Sequence, residues 1–118
     1  MMSIHDLISM KSDLPPRAVA LVLPINHPLW ARGFELPEIA SLPTPNSHAV
    51  ARLLLIRGLE ILSRGEALPL MCRGRAATVA CAGWVDAWCY ELASERRVSM
   101  RALAQGAVIL ALEALADQ

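Results

Sequence analysis

Two short extended runs govern what this chain can fold into. Arg17-Ala18-Val19-Ala20-Leu21-Val22-Leu23-Pro24 and Arg75-Ala76-Ala77-Thr78-Val79-Ala80-Cys81-Ala82 lie 58 positions apart. The first is β-type and closed by Pro; the second is weaker in β propensity because Ala dominates it. A lone strand leaves its N–H and C=O groups unpaired along both edges. The two runs therefore predict an antiparallel ribbon pairing 18–23 with 76–81.

The sequence between and after the runs is helical. Thr44-Pro45-Asn46-Ser47 reads as a helix start, with Thr44 as cap and Pro45 in the first turn. That helix runs to about Arg64, and Gly65 stands where a left-handed C-terminal residue belongs. Residues 25–43 predict a short, broken helix or two turns, because Gly33 and Pro37 interrupt any longer one. Gly83 to about Arg96 forms a further helix, with Trp84, Val85, Trp88, Cys89 and Leu92 on one stripe. Ser99 caps a last helix from Met100 to about Ala116. The order is strand, broken helix, helix, then strand, helix, helix. The long helices align as well, Ala51–Leu62 over Ala104–Leu115. Residues 1–16 read as an N-terminal arm. Residues 17–118 read as one domain of two repeats, 17–65 and 73–118.

Composition narrows the function classes. The 118 residues are 55% hydrophobic and carry eleven basic against eleven acidic groups, so the formal net charge is zero. That excludes a disordered segment, a polybasic tail and an acidic chaperone surface. It also predicts extensive burial, with self-association or a protein partner. No apolar stretch approaches the ~20 residues of a transmembrane helix, and no signal peptide is visible, so a cytoplasmic, membrane-free protein is expected. Ten of the eleven basic residues are Arg, the side chain suited to bidentate contact with phosphate.

The second half resembles the ribbon-helix-helix family, through Arg75–Cys81, Gly83–Arg96, Arg97-Val98-Ser99 and Met100–Ala116. The first half is similar through Ala18–Pro24 and Thr44–Arg64, and departs from the pattern where Gly33, Pro37 and Pro43 fall in its first helix. The resemblance implies a mainly α fold with a short two-stranded antiparallel ribbon, built as a pseudo-twofold tandem unit in one chain. It also implies binding to double-stranded DNA, in a transcriptional regulator or an accessory factor on mobile-element DNA, as in conjugative and T-DNA-type transfer systems.

Carried over residue by residue, it places Ala18, Ala20, Val22, Ala76, Thr78 and Ala80 on the groove-facing side of the ribbon. The opposite register would expose Val19, Leu21 and Leu23 instead, which fits burial worse. Of the six groove-facing residues, Thr78 alone can hydrogen-bond a base edge, so base readout should be weak. Arg17, Arg73 and Arg75 at the strand starts are candidate phosphate contacts. So are Thr44, Asn46, Ser99 and Arg101 at the helix starts. Plain capping and solvated strand flanks account for the same residues without a ligand.

The remaining chemistry-bearing residues form no site in sequence. Cys72, Cys81 and Cys89 make no C-x-x-C pair and read as packing thiols, so no metal is expected. Trp84 and Trp88 read as core, and Glu95-Arg96-Arg97 as a solvated turn. No carboxylate pair, phosphate loop or nucleophile elbow is present, so no enzyme, cofactor or small-molecule substrate is expected. A protein-interaction subunit that keeps the fold without base reading is the alternative.

Overall fold

In the computed structural model, residues 14–71 and 73–117 are described; the arm up to Asp13, together with Cys72, lies outside them. Strand β1 (Arg17–Leu23) leads through a 3-10 helix (Trp30–Glu35) and a single-turn helix α1 (Pro37–Ala40) to the long helix α2 (Ser47–Ser63). Strand β2 (Arg75–Cys81) is followed by α3 (Gly83–Arg96) and α4 (Met100–Leu115). The chain is mainly helical with a two-stranded antiparallel ribbon among the described residues. β1 and β2 pair from Arg17↔Cys81 to Leu23↔Arg75, with Ala20 opposite Thr78 at the centre.

Period-2 alternation decides which face of the ribbon is buried. Val19, Leu21 and Leu23 of β1 and Val79 and Cys81 of β2 enter the core. Beneath them lie Val50, Leu54, Leu55 and Leu59 of α2, Val85, Trp88 and Leu92 of α3, and Leu103, Val108 and Leu112 of α4. Each fully buried Leu contributes about 2 kcal/mol by removal from water. Trp84 and Trp88 are buried as a tilted pair, with ring centroids 6.2 Å apart.

Helices α2 and α4 share the largest helix–helix interface among the described residues. Their approach depends on Gly58, where a Cβ would stand 1.8 Å from the Ala107 carbonyl oxygen. The irregular first half has its own reason. Gly33 turns against α2, where a Cβ would come within 2.6 Å of Val50 Cγ1. Pro37 restricts Leu36 to an extended backbone, which ends the 3-10 helix and opens α1.

Two readings of the helix ends are corrected. The cap of α2 is Asn46, not Thr44: Asn46 Oδ1 accepts the Ala49 N–H at 2.9 Å, while its Nδ2 donates to the Thr44 carbonyl at 3.1 Å. Pro45 therefore precedes the helix instead of occupying its first turn. Arg96 is not part of a solvated turn. It donates to the Leu62 carbonyl at 2.8 Å, tying α3 to the C-terminal end of α2, where a cation is favoured. Ser99 caps α4 as expected, accepting the Ala102 N–H at 3.1 Å. Gly65 is left-handed at φ 95°, and Arg97 reverses the chain after α3 at φ 57°.

Among the described residues no single helix is long and apolar enough to cross a membrane. Helices α3 and α4 together have the length, but they meet at a bend of 103°.

Candidate nucleic-acid interface

The outward face of the ribbon is built by alternation from Ala18, Ala20 and Val22 of β1 and Ala76, Thr78 and Ala80 of β2. Five of the six are exposed and Val22 is half-buried. Cross-strand pairing groups them as Ala18 with Ala80, Ala20 with Thr78, and Val22 with Ala76. The surface is a low aliphatic ridge with one hydroxyl at its centre. Such a face suits close approach to a flat or grooved partner and offers a single hydrogen-bonding group to a base.

The arginines sit at its ends. Arg17 lies at one end, opposite Cys81, and Arg75 at the other, opposite Leu23. Both share the side-chain parity of the buried residues, yet both are exposed, while Cys81 and Leu23 opposite them are buried. They therefore flank the ridge and do not stand on it. Arg73 is exposed two residues before Arg75, where Gly74 lets the chain run against β1: a Cβ there would lie 1.9 Å from the Leu23 carbonyl oxygen.

A further cation, not singled out in the sequence, joins the first end. Arg52 of α2 is exposed and donates from Nε to the Ala80 carbonyl at 2.7 Å. Its charge also reaches the neighbouring Cys81 thiol. Burial raises the pKa of that thiol, Arg52 pulls it back, and Asp86 pushes it up.

The helix-start residues are exposed but locally engaged. Asn46 uses both its oxygen and its nitrogen in capping, and Ser99 uses its hydroxyl. Arg101 is exposed in the first turn of α4, and Thr44 lies in the loop before α2. The first two N–H groups of each helix remain directed outward, as at any helix N-terminus.

Elsewhere the surface among the described residues carries depressions, of which two bear on chemistry. A cleft of about 500 Å³ lies between α1 and the C-terminal halves of α2 and α4. It is lined by Arg57, which pairs with Glu38, and by Glu60 and Arg64. The cleft thus carries two basic and two acidic side chains, and Arg64 donates from Nε to the Glu60 backbone carbonyl at 3.4 Å. A largely apolar groove of about 250 Å³ runs between α1 and α2, lined by Ile39, Leu42, Leu53 and Ile56 with Glu38 and Arg52. Cys81 and Cys89 are buried free thiols, and burial lifts the Cys89 pKa to about 12. Among the described residues no group of His, Cys, Asp or Glu is placed to hold a metal ion. No protein-family model, curated protein or solved structure matches the chain.

Proposed function

We propose that this chain is a non-enzymatic DNA-binding protein of ribbon-helix-helix type, with two strand-helix-helix units in one polypeptide. Contacts fall mainly on phosphates, with weak base readout. The observation that carries this reading is the register. A shift of 58 residues maps Arg17–Leu23 onto Arg75–Cys81. In the observed pairing the shift-equivalent residues Ala20 and Thr78 face each other at the centre, and the equivalents Arg17 and Arg75 stand at opposite ends. A twofold axis between Ala20 and Thr78 would impose this register, and it supports the tandem reading. The ribbon spans about 20 Å at its ordinary rise per residue. With the ridge in a major groove, the arginines that flank its two ends are the groups that would reach the bordering phosphates.

The test is a fluorescence-polarisation titration against random and candidate-site duplexes at low salt. Binding in the micromolar range or tighter is expected. Arg75→Ala should weaken all sequences about equally, whereas Thr78→Ala should change sequence preference. Absence of binding at micromolar protein overturns the reading.

The aliphatic ridge favours one second reading, a protein-interaction subunit of a larger assembly that keeps the fold without reading bases. A stable monomer by light scattering that also binds duplex would exclude it.

A further inference from the structure

We propose that Arg52 and Arg17 form a phosphate clamp at one end of the ribbon, matching the pair that Arg73 and Arg75 make at the other. This rests on the DNA reading above and adds to it a residue that lies outside both strands and both helix starts. Ala80, whose carbonyl receives Arg52 Nε, is paired with Ala18, and Arg17 is the next residue along. The anchor of Arg52 thus lies one register step from Arg17 at the same end of the ribbon. Arg52 comes from α2, 28 residues away in sequence from its anchor.

Three features make Arg52 a clamp and not an ordinary surface charge. First, Nε is one of five guanidinium donors, and fixing it on a backbone carbonyl sets the plane of the group. The terminal nitrogens make no hydrogen bond among the described residues. A planar fork held this way matches two phosphate oxygens and loses little further freedom on binding. Second, no ion pair among the described residues neutralises it. Asp86 is close enough to act on Cys81, but neither Arg52 nor Arg17 forms an ion pair among the described residues. Third, the chain supplies only one strand-borne guanidinium at this end, because Pro15 stands two residues before Arg17, where Arg73 stands before Arg75. Arg52 supplies the missing second charge from another element. Each end of the ridge then presents two guanidinium groups to one of the two backbones bordering the groove.

The experiment is a duplex titration over 50–200 mM salt with the parent chain, Arg52→Gln and Arg52→Lys, with ribbon amide exchange recorded for each. Arg52→Gln should bind about tenfold more weakly at the low-salt end. It should flatten the slope of log K against log salt by about 0.9, the value for one lost phosphate contact. Arg52→Lys should keep the parent slope but bind several-fold more weakly, since an ammonium is charged but has no fork. Ribbon exchange should be unchanged in Arg52→Lys, which keeps the comparison valid even if Arg52→Gln loosens β2. A parent that binds while both variants match its affinity and slope overturns the clamp alone. A parent that does not bind overturns the DNA reading and the clamp with it.

Discussion

At the residue scale, two glycines make opposite demands. A Cβ on Gly58 would stand 1.8 Å from the Ala107 carbonyl oxygen, so α2 and α4 must separate to admit it. Backbone on backbone contact has no rotamer to relieve it, and Gly58→Ala should cost about 3 kcal/mol or more. Gly65 has open space but a φ of 95°, so Gly65→Ala should cost only about 1 kcal/mol. Urea denaturation of the two variants checks the order, and equal losses would contradict it. Cys89 gives a pH prediction. Its thiol pKa rises from the usual 9.0 to about 12, first because of burial and then because of Cys81 and Asp86. The folded chain therefore keeps a proton that the unfolded chain releases near pH 9. Stability from this group is intact below pH 9 and declines as pH rises from 9 towards 12, by up to ~1.4 kcal/mol per pH unit. Denaturation midpoints measured between pH 8 and 10.5 should fall less steeply in Cys89→Ala than in the parent.

At the element scale, what was legible followed the strength of local pattern. The ribbon face could be read because Val19, Leu21 and Leu23 alternate with smaller residues. A one-residue slip would have brought all three into water. The last two helices were equally plain, since Ser99 leaves one obvious cap before an apolar run. The start of α2 was misread because Thr44-Pro45-Asn46-Ser47 offers several capping side chains within four residues. The backbone chose Asn46, at φ −147° and ψ 162°, with its oxygen on the Ala49 N–H. Asn46→Ala should therefore destabilise the protein by about 1 kcal/mol, whereas Thr44→Ala should leave its melting temperature nearly unchanged. The reverse result would restore Thr44 as the cap. Arg52 and Arg96 could not be read at all. Their partners, the Ala80 and Leu62 carbonyls, lie 28 and 34 residues away, and a backbone carbonyl has no sequence signature.

At the scale of the whole molecule, zero net charge and an arginine-lined ribbon have to be reconciled. A neutral protein gains little long-range attraction to DNA, so on the proposed reading affinity must come from guanidinium groups placed at short range. Arg17, Arg52, Arg73, Arg75 and Arg101 are all exposed, and the first four bracket the ribbon. The acidic groups that balance them include Glu38 and Glu60, which line the cleft formed by α1 and the C-terminal halves of α2 and α4. If all five arginines meet phosphates, log K should fall against log salt with a slope of about −4.5. Raising salt from 50 to 200 mM would then weaken binding roughly 500-fold. A slope near zero with binding retained would point instead to apolar contact through the aliphatic ridge. The size of the slope therefore separates a duplex held through its phosphates from one held through the ridge, and absence of duplex binding leaves the reading as a protein-interaction subunit.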